Sequence, residues 1–249
     1  MDKNSGEEIQ SDPEILIFDI NSDKEIDNLN LDYRNSNYKM IKIYFEEISE
    51  YICLKQDHKL GKGGILWDCS YVLTKVLIDL LNKEYADNKD IRMLELGAGT
   101  ALPSIIARKL GYNKIVITDL KAFVPFIEEI LKINNITVND NTIVSSMNWQ
   151  SSDDITKLKI TNETFDIIIG SDILYLDEYF DDLIHLFREL SNKNTIIIIS
   201  FKVRLIEVNN EFFEKFSIHF EYTYIADDFI KKYYPLVNKL KVIIAKLKI

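Results

Sequence analysis

Two glycines one residue apart, Gly97 and Gly99, stand in Glu95-Leu-Gly-Ala-Gly-Thr-Ala-Leu-Pro103, where an apolar run ends. Glycine removes side chains where the backbone must bend sharply and approach a ligand closely. About twenty residues on, the next apolar run ends in Asp119, followed by Leu120. A carboxylate at that spacing can accept hydrogen bonds from both hydroxyls of a ribose. Gly97, Gly99 and Asp119 therefore read as the wall of a site for an adenosine cofactor, with Leu120 beside Asp119 as a further cofactor-binding candidate. NAD sites carry a small residue at the third glycine position and hold pyrophosphate at a helix N-terminus. Here that position is Leu102, and an acid, Glu95, stands just before the glycines. S-adenosylmethionine (SAM) has no phosphate, and its sulfonium is a cation that Glu95 would suit. The residues favour SAM, with NAD and a ligand-free structural turn as the alternatives.

Such a loop needs a sheet to carry it, and the chain supplies strand and helix in alternation. Met93–Leu96, Lys114–Asp119, Thr142–Met147, Phe165–Gly170 and Thr195–Ser200 are read as strands. Their unbroken Ile and Val runs mark strands buried on both faces, the habit of parallel sheets covered by helices. Helical periodicity follows Gly97 as far as Lys109, recurs over about 122–134, and puts Phe180, Leu183, Ile184, Phe187 and Leu190 on one side. Upstream, Ile52–Gln56 alternates like a strand, Gly61–Gly64 is a turn, and Val72, Leu73, Val76, Leu77, Leu80 and Leu81 share a helix face that Asp68 or Ser70 could cap. A helix near 209–216 precedes Ser217–Tyr224 and Val242–Ile249, expected to form an antiparallel pair at one edge with no clear helix between them. The class is α/β, a doubly wound, mostly parallel sheet.

Five motifs in order add a resemblance: Gly64-Ile-Leu-Trp67-Asp68, Leu94-Glu-Leu-Gly-Ala-Gly-Thr100, Thr118-Asp119, Asn148-Trp149 and Gly170-Ser-Asp-Ile-Leu-Tyr175. Over roughly residues 45–249 the chain resembles the methyltransferase-like 21 group of seven-β-strand protein lysine methyltransferases. The resemblance implies a Rossmann-like seven-stranded SAM-dependent fold. It also implies a protein substrate presenting a lysine, of the chaperone, AAA ATPase or elongation-factor type. SAM contacts are implied for Trp67, Gly97, Ala98, Gly99, Asp119, Trp149 and Ser171. Gln56 and Lys202-Val-Arg204 also fit the pattern. Ala101 and Ser171 depart from it, standing where relatives often have Gly and Ala.

Asp172 and Tyr175 are the candidate catalytic pair. A lysine amine titrates near 10.4, so deprotonating it at neutral pH costs roughly 4 kcal/mol. SAM needs no activation; the enzyme must bind the ammonium, let it lose a proton, and hold nitrogen, methyl and sulfur in line. Asp172 can orient the amine, and Tyr175 can offer its hydroxyl or its ring face to a cation. Core packing and turn capping are the plainer roles for these residues and for the tryptophans. There is no Asn-Pro-Pro-Tyr or Asp-Pro-Pro-Tyr run of the amino-methyltransferases acting on adenine or glutamine amides, and no double-glutamate loop of arginine methyltransferases. Other acceptors (arginine, histidine, a small amine) and a non-catalytic SAM-binding protein are the competing functions.

Composition narrows the setting. Across 249 residues, 47% hydrophobic content is enough for one large domain, and the formal charge of −10 disfavours a phosphate backbone as partner. No apolar stretch reaches the roughly 18 residues of a membrane span. The opening MDKNSGEEIQ is acidic and polar, unlike a secretory or transit peptide. Cys53 and Cys69 make no disulfide framework, and the three histidines lie far apart, so no metal site is expected. The expectation is a cytoplasmic, or also nuclear, monomer without nucleic-acid or membrane partners. Residues 1–40 read as a poorly ordered polar arm and 41–249 as the methyltransferase domain, with Glu14–Asp19 able to form a strand.

Overall fold

The computed structural model describes residues 15–18, 38–161, 164–234 and 239–248. Most of the polar arm lies outside the described residues. Within it, Ile15–Phe18 forms β1, which pairs in parallel with β2 (Met40–Phe45). On the other side, β2 pairs antiparallel with β3 (Glu50–Lys55). The β2 strand was not anticipated, although Met-Ile-Lys-Ile-Tyr-Phe alternates and sends Ile41, Ile43 and Phe45 into the core. A 3-10 segment, His58–Gly64, leads to α1 (Asp68–Glu84).

The alternation then proceeds through β4 (Arg92–Leu96), α2 (Leu102–Lys109), β5 (Lys114–Asp119), α3 (Val124–Ile133) and β6 (Thr142–Ser146). It continues with α4 (Ser152–Thr161), β7 (Ile167–Ser171), α5 (Phe180–Leu190), β8 (Ile196–Lys202) and α6 (Ile206–Phe216). The chain closes with β9 (Phe220–Tyr224), α7 (Asp227–Tyr233) and β10 (Leu240–Leu247). The seven-stranded sheet has the order β6-β5-β4-β7-β8-β10-β9, parallel as far as β8 and antiparallel beyond it.

Successive strand side chains point to opposite faces, and this divides the core in two. Met93, Ile115, Ile117, Ile167, Ile169 and Ile198 join α1, α2 and α3. Leu94, Leu96, Val116, Ile168, Ile197 and Ile199 join α4, α5 and α6. Burial on both faces explains why these runs read as continuous isoleucine. On the second face the rings of Phe187, Phe212, Phe216 and Phe220 stack or meet edge-on at 4.4–6.4 Å, each burying on the order of 1.5–3 kcal/mol.

Three sequence expectations change. The terminal strands do pair antiparallel, but α7 stands between them, and β10 sits inside the sheet between β8 and β9. The β10 strand is the more apolar, with Val242 and Ile243 fully buried, so it takes the interior place. Helix α4 was not anticipated, its charged surface masking the two apolar anchors Ile155 and Leu158. Neither Asp68 nor Ser70 caps α1. The cap position is Trp67, without a side-chain bond, and Asp68 instead accepts from the Cys69 amide at 2.9 Å and pairs with Lys202 at 2.7 Å.

Candidate functional site

At the carboxyl end of β4 the chain turns through Gly97 and Gly99, both left-handed at φ 59° and 53°. Space there is as restrictive as conformation. A Cβ on Gly99 would lie 2.9 Å from the Gly63 carbonyl oxygen, and one on Gly97 would lie 3.2 Å from the Trp149 ring. Ala101, at φ 54°, bears a methyl in the same region, which disfavours a Cβ by about 1–2 kcal/mol. The loop is anchored by an acid. The Gly99 amide donates to Asp119 Oδ2 at 2.8 Å and the Leu120 amide to Oδ1 at 2.7 Å. Burial raises the Asp119 carboxyl above its usual range, against the two amides that lower it. Each oxygen keeps a lone pair free for another donor.

A cavity of about 490 Å³ opens over this loop, bounded by the ends of β4, β5 and β7 and by the segment from Lys62 to Ser70. Asp172, just past β7, is held in an unusual conformation for a non-glycine residue, φ 54°. Its amide donates to the Ser200 carbonyl at 2.7 Å, and Arg204 grips its carboxylate with both terminal nitrogens, one at 2.8 Å. Strain of this kind persists only where the surroundings over-determine it. Tyr175 stands 40% exposed at the rim, with the Lys62 ammonium 4.9 Å over its ring. Burial, then Asp119 and Asp172, raises its phenol, which stays protonated at neutral pH. Trp67 donates its indole N–H to the Lys62 carbonyl at 2.8 Å, pinning His58–Gly64 as a strap against the loop at Gly99.

The family model described as lysine methyltransferase matches residues 47–219. The chain belongs to this lysine methyltransferase family. The protein N-lysine methyltransferase METTL21A of Xenopus tropicalis is 34% identical over 76% of this chain and 81% of its own length. Among solved structures, a protein assigned to the SAM-dependent methyltransferases of Streptococcus mutans superposes with a TM-score of 0.55 at 18% identity, covering 86% of this chain and 63% of that one. An O-methyltransferase from Bacillus cereus in complex with SAH gives a TM-score of 0.51 at 15% identity over 70% of this chain and 80% of that one. At these identities the likeness is one of fold, the α/β fold of SAM-dependent methyltransferases.

In this lysine methyltransferase the cavity brings together Trp67, Gly97, Ala98, Gly99, Asp119, Leu120, Trp149, Ser171, Asp172 and Tyr175. Glu95 is not on its wall. Strand alternation turns that side chain to the same face as Met93, where it is fully buried. Its Oε2 accepts from the Ser104 amide at 3.2 Å and, in a shorter contact, from the Ser104 hydroxyl. Burial pushes the Glu95 carboxyl up to about 8, against those bonds. It is therefore mostly neutral at pH 7 and ties α2 to β4, rather than facing a sulfonium as its sequence position suggests. Sequence reasoning missed Lys62 and Phe123 as wall residues, and noted Arg204 only within Lys202-Val-Arg204, without a place in the site. The signals were a cation between glycines in Gly61-Lys-Gly-Gly64 and a basic residue just beyond β8, at the ligand-binding end of the sheet. Among the described residues no cluster of His, Cys, Asp and Glu is suited to a metal, and no helix is long and apolar enough to cross a membrane.

Proposed function

We propose that this chain transfers a methyl group from SAM to the lysine ε-amine of a partner protein, with no metal. One observation carries the reading: a single cavity holds the Asp119–glycine-loop anchor beyond β5 and β4 and the Asp172–Tyr175 pair beyond β7. The cavity's volume suits a small-molecule site, and the two glycines leave bare backbone where a nucleoside would lie. Asp119 would take the ribose hydroxyls, Trp149 and Leu120 the adenine, and Gly97, Ala98, Ser171 and Trp67 the remainder of the cofactor. Bound SAM would supply a methyl carbon activated by its positively charged sulfur. The chain's own task is to place an amine. Tyr175 presents a ring face that already carries an ammonium in this structure. The Asp172 carboxylate lines the same cavity. Because Arg204 occupies both oxygens of Asp172, that charge acts on the amine at longer range than a direct hydrogen bond. The neutral Tyr175 phenol is no base, so the amine's proton leaves to water.

The partner follows the kind the family modifies, a chaperone, an AAA ATPase or an elongation factor, met in the cytosol or nucleus by a monomer. Incubating the protein with methyl-labelled SAM and cell lysate, then mapping the labelled residue, tests the acceptor. Label confined to arginine or histidine would overturn the lysine reading. Asp172→Asn keeps the shape but loses the charge. It should lower kcat about tenfold or more while SAH affinity changes by less than about threefold; an unchanged kcat would remove Asp172 from catalysis.

A further inference from the structure

Two cations line the cavity, Lys62 and Arg204. Arg204 is committed, with two bonds to Asp172. Lys62 is different. Lysines across the surface pair with carboxylates, as Lys55 does with Glu129 and Lys109 with Glu50. Among the described residues the Lys62 ammonium has no carboxylate partner, and the Tyr175 ring face at 4.9 Å is its recorded contact. Its backbone is nonetheless fixed, since the Lys62 carbonyl accepts from the Trp67 indole and the Gly64 carbonyl from the Asp57 amide at 2.8 Å. The same strap lies against the loop at Gly99.

A second, independent observation lies among the residues that line the same cavity. Ser70, in the first turn of α1, is 4% exposed, and its hydroxyl is buried without a hydrogen-bond partner. A buried hydroxyl left unpaired costs about 1–3 kcal/mol, so the site gains from a ligand group that accepts from it. An uncommitted ammonium, an unsatisfied hydroxyl and the N-terminal end of a 17-residue helix all favour an anionic acceptor. On the reading of the cavity as a SAM site, one such group exists on the ligand, the carboxylate of its amino-acid tail.

We propose that Lys62, supported by Ser70, is the counter-ion that receives the cofactor's α-carboxylate. The inference rests on the functional reading above. It adds the residue that tells the amino-acid-bearing cofactor from other adenosines. Burying a carboxylate without a partner is costly. The strap therefore acts as a selectivity element and not only as a cover.

Calorimetric titration separates the two claims. The probes are S-adenosylhomocysteine and 5′-methylthioadenosine, the same thionucleoside without the amino-acid tail. Lys62 is solvent-exposed, so Lys62→Met should fold as the wild type does, with matching circular dichroism and melting. It should weaken S-adenosylhomocysteine about tenfold or more and leave 5′-methylthioadenosine within about twofold. Ser70→Ala should show the same selectivity with a smaller loss, and Lys62→Arg should recover most of the affinity. Equal weakening of both ligands, or of neither, would overturn the Lys62 assignment while leaving the cofactor site standing. Wild-type protein that binds neither ligand would overturn the cofactor site itself, and the Lys62 assignment with it.

Discussion

At the scale of single residues, the loop after β4 shows how much of a site can consist of missing atoms. Gly97 and Gly99 have positive φ and also face carbonyl and ring atoms at contact distance. Gly99→Ala must therefore accept left-handed strain of about 1–2 kcal/mol and push the strap at Gly63 away. We expect it to weaken S-adenosylhomocysteine by about tenfold or more, with a smaller loss of thermal stability, both readable by calorimetry. The glycines and Asp119 were legible in the sequence because their chemistry is local: spacing alone put an acid beside a bare turn. The partner of Asp172 was not legible. Arg204 lies beyond a different strand, and the Asp172–Arg204 pair exists because β7 and β8 are neighbours.

Between elements, Asn134 joins the small sheet to the end of α3 through hydrogen bonds to Cys53. It is 4% exposed. Its Oδ1 accepts from the Cys53 amide at 2.9 Å, and its Nδ2 donates to the Cys53 carbonyl at 2.7 Å and to Ile130 at 2.9 Å. One side chain thereby satisfies β3 and the end of α3 together. Replacing it with Ala strands both backbone groups of Cys53, and we expect a loss of about 1–3 kcal/mol in denaturant unfolding. The sequence marks Asn134 as a residue ending a helix, which is true but incomplete. Element type was the easier part to read: isoleucine runs meant buried strands, and period-3.6 faces meant helices. The helices that escaped, α4 and α7, are short or mostly exposed, and their few apolar contacts leave little periodicity to detect.

For the molecule as a whole, the buried acid under the site couples stability to pH. Glu95 titrates at about 8 in the fold, against an ordinary 4.5. The folded state thus keeps a proton that the unfolded chain gives up. Stability is fully present below about pH 4.5, falls as pH rises, and the contribution is lost above about 8, with a slope of at most about 1.4 kcal/mol per unit from this group. Asp119, also raised by burial, acts in the same direction. Glu95→Gln removes the ionisation while keeping an acceptor for Ser104. Urea unfolding at pH 5 and pH 8 should show a clear decline in the wild type and a flatter one in the variant; parallel declines would place the pH sensitivity elsewhere. The charge of −10 belongs to this scale too, since it favours encounter with basic partner surfaces that salt would screen.

By itself, the sequence determined the class of fold, the glycine–acid anchor and the family, because each is written in short-range order: runs of one burial type, a bend of small residues, motifs in succession. Tertiary structure decided which way each side chain faces and what it meets. Strand alternation took Glu95 out of the cavity and into the core, and the neighbouring of β7 and β8 gave Asp172 its arginine. The folding of the 58–64 strap across the loop carried Lys62 to the Tyr175 ring. Contacts between residues far apart in the chain exist only once the sheet has ordered its strands, and no local pattern of residues encodes that order.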